Sequence, residues 1–153
     1  LLLRGPQGVF TLPETIDKDL FFICTGTGIA PFRSMVQHLF NNEIQHRNVY
    51  LIFGCRKTGD TLYGEELKEL EKRAPWFRFL PAYSREEPEE GRITGYVHAV
   101  YENICRELRN EQGIEVNPAS FFLCGWKNMI DEAMQRLQAL GYERKEIHRE
   151  LYG

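Results

Sequence analysis

Two glycines two residues apart, Gly26 and Gly28, sit in the run Phe21-Phe22-Ile23-Cys24-Thr25-Gly26-Thr27-Gly28-Ile29-Ala30-Pro31, where an apolar strand enters a turn and passes straight into a helix. That order of residue types builds an anion cradle. Glycine takes backbone angles closed to other residues and puts no side chain between main chain and ligand, and proline suits a first helical turn. The N–H groups at the helix start then face an anion such as a dinucleotide pyrophosphate, with Thr25, Thr27 and Ile29 completing the turn around Gly26, Gly28 and Pro31. The third glycine of the common dinucleotide fingerprint is absent, so the segment taken alone is as compatible with a tight turn that holds no ligand.

A second constellation lies in Tyr83-Ser84-Arg85-Glu86 and Gly91-Arg92-Ile93-Thr94. A phosphate on an adenosine ribose needs hydroxyl and guanidinium donors, and arginine offers a planar fork of N–H groups. Ser84, Arg85 and Arg92 supply them, and Arg56 follows an apolar run that ends nearby in the expected fold. A solvated surface role remains the alternative for Arg85 and Arg92. A third group is Cys124-Gly125-Trp126 with Met129, and a fourth is Glu150-Leu151-Tyr152. Cys24 reads as a small core hydrophobe. Neither the four cysteines nor the four histidines show metal-ligand spacing, so no metal is expected.

The elements that must position these residues alternate strand and helix, the pattern of a parallel sheet with crossover helices. Strands are expected over 20–25, 49–54, 77–83, 120–125 and 147–152, and helices near 31–41, 64–73, 96–109 and 127–140. This is an α/β doubly wound five-stranded parallel sheet in three layers, a Rossmann-like nucleotide-binding domain. In such a sheet the order reverses beside the first strand, and ligands bind at the carboxyl ends that flank this point. Here those ends carry Cys24-Thr25-Gly26 and Cys124-Gly125-Trp126. Residues 84–91 read as an exposed loop.

The chain has 153 residues, 42% of them hydrophobic, enough for one core and one domain, 1–153. A formal net charge of −3 with both signs interspersed gives no footprint for nucleic acid or an anionic membrane. No stretch approaches the roughly 18 apolar residues of a spanning helix, and the scattered cysteines suit a reducing cytoplasm.

Gly26-Thr27-Gly28-Ile29-Ala30-Pro31-Phe32-Arg33-Ser34, preceded by Cys24-Thr25, resembles the nicotinamide-nucleotide turn of the ferredoxin–NADP reductase family. Ser84-Arg85 is similar to the pair that reads the 2′-phosphate in NADPH-using relatives. Leu123-Cys124-Gly125 resembles the segment that lies against the nicotinamide, and Glu150-Leu151-Tyr152 the Glu-x-Tyr ending whose aromatic stacks on flavin. Gly5 to Pro13 resembles the passage from an FAD-binding barrel, so residues 1–13 are expected to be a junction to an N-terminal FAD domain. Thr94 departs from the pattern, standing where many NADPH enzymes have a stacking tyrosine.

The resemblance implies a pyridine-nucleotide domain that binds NADP(H), with NAD(H) possible, in a reductase that moves a hydride to FAD and electrons on to ferredoxin, flavodoxin or a similar carrier. Cys124, Glu150 and Tyr152 would face the transfer site. Two other readings stay open: a non-catalytic nucleotide-binding or regulatory subunit, and the NADH-using reductase domain of an oxygenase or flavohaemoglobin.

Overall fold

The computed structural model describes residues 10–151. The expectations for residues 1–9 and for Tyr152 lie outside the described residues.

The strands are β1 (Asp19–Thr25), β2 (Val49–Cys55), β3 (Phe77–Tyr83), β4 (Ile93–Thr94), β5 (Ala119–Gly125) and β6 (Ile147–Leu151). Between them run helices α1 (Ala30–Asn41), α2 (Gly64–Arg73), α3 (Val97–Gln112) and α4 (Lys127–Ala139). The sheet is parallel throughout, in the order β4-β3-β2-β1-β5-β6. The chain winds outward from β1 to β4, then returns to place β5 on the other side of β1, which makes the gap between β1 and β5 the switch point.

The sheet has six strands where five were expected. The sixth is the two-residue β4, which pairs Ile93 with Ala82 and Thr94 with Tyr83. A two-residue strand carries no alternation to read, and its pairing partner fixes it.

Central strands are apolar on both faces because helices cover both. Leu20, Phe22 and Cys24 of β1 point to one side with Phe122 and Cys124 of β5, under α1 and α2; Phe21, Ile23, Phe121 and Leu123 point to the other, under α3 and α4. Phe22 stacks on Phe32 of α1 at 4.8 Å, and Phe21 lies between Tyr50 at 4.7 Å and Phe121 at 4.9 Å. Buried Asp19, at the amino end of β1, accepts hydrogen bonds from Asn48 N–H (3.2 Å) and Asn117 Nδ2 (3.1 Å), which ties the β2 and β5 approaches to β1. The amino ends of the strands are thereby closed by polar satisfaction, and the carboxyl ends are left for the site.

Candidate nucleotide site

From β1 the chain enters a single 3₁₀ turn, Gly26–Ile29, that feeds α1 with Pro31 in its first turn. Gly26 has φ +53° with open space where a side chain would be. Its conformation, not crowding, calls for glycine. Gly28 is the reverse case. A Cβ there would lie 2.4 Å from the carbonyl oxygen of Cys124 and 2.9 Å from its carbon, so the turn packs backbone to backbone on the end of β5. Thr27 is exposed, while Ile29 and Pro31 are buried beneath the turn.

Three strand ends meet here without side chains over them. A Cβ on Gly125 would sit 2.5 Å from Thr25 Oγ1 and 3.0 Å from Met129 Cε, and one on Gly54 would meet Val97 Cγ1 at 2.8 Å and Thr25 Cγ2 at 3.3 Å. Thr25 Oγ1 is buried and has no hydrogen-bond partner. A hydroxyl left so costs about 1–3 kcal/mol, which sets it apart from the satisfied polar groups elsewhere in the core. An orphaned hydroxyl beside glycine-lined strand ends and the first turn of α1 fits the hydroxyl- and phosphate-rich middle of a dinucleotide.

Cys24 and Cys124 are register neighbours on β1 and β5, and both are fully buried on the α1 side of the sheet. Burial pushes the Cys24 thiol well above its ordinary value, and the neighbouring Cys124 adds to the effect. Glu150 lies opposite Cys124 on β6 and is half-buried. Trp126 is 61% exposed at the start of α4, with Met129 buried one turn on.

The adenosine-end candidates gather at the carboxyl ends of β2 and β3. Ser84 N–H donates to Cys55 O (3.0 Å) and Arg85 N–H to Arg56 O (2.9 Å), so Arg56 and Arg85, both exposed, leave adjacent strands side by side. Arg92 is placed differently. Its guanidinium donates to Glu87 O (2.9 Å), pairs with Glu89 (3.0 Å) and lies 3.9 Å from Glu86. The Glu86 carboxylate accepts from Thr58 N–H (2.8 Å) and Thr58 Oγ1 (3.1 Å), and these bonds hold it below the usual carboxylate range. Arg92 thus latches the loop between β3 and β4. Thr94 is exposed on β4. Tyr96, which the sequence reading did not single out, is 71% exposed at the start of α3. Its signal was an aromatic after Gly95 at a helix start, a pattern that also suits simple packing.

A groove lies at the other end of the sheet, lined by Arg109, Gly113, Val116, Leu140 and Gly141. It collects the carboxyl ends of α3 and α4, where helix dipoles disfavour an anion. The glycine-lined switch point is the better candidate on chemical grounds.

Open parallel α/β topology with a glycine turn leading into a helix at the switch point is the architecture of a nucleotide-binding domain. Residues 22–135 match the family model of the oxidoreductase NAD-binding domain, and the chain belongs to that family, in its ferredoxin–NADP reductase type. It is 32% identical over 151 residues to ferredoxin–NADP reductase B of Sorangium cellulosum, covering 97% of this chain and 60% of that protein. It is 31% identical to the phenol hydroxylase P5 protein of Acinetobacter pittii, covering 98% of this chain and 41% of the relative. The chain therefore spans 60% or less of the length of these two relatives. Among solved structures, an Amycolatopsis cytochrome P450 reductase superposes with a TM-score of 0.76 at 26% identity, over 96% of this chain and 42% of that one.

Proposed function

We propose that this chain is the pyridine-nucleotide domain of a flavoprotein reductase that draws a hydride from NADPH and delivers electrons to ferredoxin, flavodoxin or a similar carrier in the cytoplasm. The observation that carries the reading is the orphaned Thr25 hydroxyl under a glycine-lined switch point, next to an anion-binding turn. In this reading Gly26, Thr27, Gly28 and Pro31 hold the pyrophosphate on the N–H groups of the turn, and Thr25 donates to the ligand it lacks. Ser84, Arg85 and Arg56 take the 2′-phosphate, with Arg92 holding their loop in place. Gly125, Trp126 and Met129 shape the nicotinamide end, with Cys124 packed beneath it. Glu150 and Tyr152 flank the transfer path. FAD, held by the N-terminal domain to which residues 1–13 lead, supplies the conversion of two-electron into one-electron transfer.

Calorimetric titration with NADPH and NADH tests the nucleotide assignment. Tighter binding of NADPH, lost in Arg85→Ala, is the expected result; no binding of either nucleotide would sink the proposal. The engagement of Arg92 with Glu86 and Glu89 favours one second reading, an NADH-using oxygenase reductase domain. Equal affinities for the two nucleotides would select it.

A further inference from the structure

We infer that Met129 is a movable cover over the Thr25 hydroxyl, closed in this structure and displaced by the nucleotide that Thr25 receives. The inference rests on the nucleotide-site reading above and adds an opening step to it. Thr25 ends β1 with its two branches beside the neighbouring strands. A Cβ on Gly54 of β2 would meet Thr25 Cγ2 at 3.3 Å, and one on Gly125 of β5 would meet Thr25 Oγ1 at 2.5 Å. A helix side chain backs each branch. Val97, the first residue of α3, puts its Cγ1 2.8 Å from that point at Gly54, and Met129, in the first turn of α4, puts its Cε 3.0 Å from that point at Gly125. The methyl branch of Thr25 thus lies beside valine, and the hydroxyl branch beside the terminal methyl of a thioether.

The two neighbours differ in how they can yield. Valine branches at Cβ and holds one χ1 rotamer in a helix, whereas methionine is unbranched and turns about three side-chain bonds. The rest of the wall at Gly125 is backbone fixed by the sheet, with Cys124 paired to Cys24 on one side and Gly125 to Leu151 on the other. Moving the Met129 methyl aside is therefore the least costly way for a ligand atom to reach Oγ1, which is buried and has no hydrogen-bond partner. Met129 is 9% exposed, which puts it at the lip of the core under α3 and α4. Glycine at 125 completes the device, because a side chain there would take the space in which the methyl and the hydroxyl meet. A site that must open before it binds has its affinity reduced by the fraction of open form.

The test is a double-mutant cycle on nucleotide affinity, with NADPH and NADH as probes and fluorescence titration as the readout. Leucine keeps most of the volume of methionine but ends one bond sooner, so Met129→Leu uncovers Oγ1 in a protein that still packs. Affinity for both nucleotides should rise about three- to tenfold in Met129→Leu, since binding no longer has to open the cover. Met129→Ala, shorter still, should move affinity the same way. Made on Thr25→Val, where there is no hydroxyl to uncover, Met129→Leu should leave affinity unchanged; a purely structural methionine would shift both backgrounds alike. Unchanged or weaker binding in Met129→Leu, or an equal gain in the Thr25→Val background, would overturn the inference while leaving the nucleotide site standing. A parent protein that binds neither nucleotide would remove the site itself. Amide NMR spectra report the folding of each variant.

Discussion

Thr25 concentrates the tension between stability and binding at a single atom, because its Oγ1 is buried without a partner at the place where three strand ends converge. Thr25→Val replaces the hydroxyl by a methyl of similar size. It should stabilise the protein by about 1 kcal/mol, since no hydrogen bond is lost in the unliganded state. Thermal melting should rise by about 2–4 °C, while NADPH affinity falls several-fold. A variant that melts lower, or binds as tightly as the parent, would show that the hydroxyl is not held in reserve for a ligand. Sequence made Thr25, Gly26 and Gly28 visible as a group but could not separate their duties. Gly26 answers to its own φ, and Gly28 to the carbonyl of Cys124 nearly a hundred residues away, a contact only the fold creates. Arg92 was legible as a cation, yet its latch depends on a loop that folds Glu86, Glu87 and Glu89 around it. Tyr96 was passed over because exposure, its distinguishing property, is not written in residue type.

Among elements, α3 and α4 are joined by a polar network set into an apolar seam. His98 Nδ1 and Tyr101 Oη lie 2.7 Å apart, His98 Nε2 is 3.7 Å from Glu132, and Arg136 links Glu132 to Glu102. Burial lowers the His98 pKa; Glu132 and Glu102 oppose this and Arg136 reinforces it. The unfolded chain then takes up a proton near the ordinary histidine value while the folded ring still resists it. Stability is therefore complete above about pH 6.5 and declines as pH falls below it, until the folded ring protonates as well. His148, stacked on Phe122 at 4.6 Å and also lowered by burial, acts in the same direction. Melting temperature should drop by a few degrees between pH 7.5 and pH 5, above the carboxylate range, and the drop should shrink in His98→Asn. An identical drop in that variant would assign the pH dependence elsewhere. The major elements were readable because β1, β2, β3 and β5 are long apolar runs and the helices keep a helical period; α2 and β3 have the expected bounds. α3 extends past its expected end to Gln112, since Gly113 with φ 66° is the stop, while β4 is too short to announce itself.

At the scale of the whole molecule, the candidate nucleotide site lies on one rim of the sheet and structural closure on the other. No helix among the described residues is long and apolar enough to cross a membrane. The carboxyl ends of β1, β2, β3 and β5 carry hydroxyl, amide and guanidinium groups suited to phosphates and riboses, and nothing in the described residues suggests an enclosing isoalloxazine pocket. The purified 153-residue chain should accordingly be colourless and fail to drive NADPH-dependent dye reduction even with added FAD. A stoichiometric yellow flavin, or turnover at ordinary enzymatic rates, would show that the chain carries the whole reaction. The two tryptophans divide along the same axis. Trp76 precedes β3 on the closed rim, edge-on to His46 at 4.3 Å, and Trp126 follows β5 on the open one. Optically, the protein therefore has two indole emitters at opposite poles: light from Trp126 registers events in the crevice, and light from Trp76 serves as an internal standard that those events leave undisturbed.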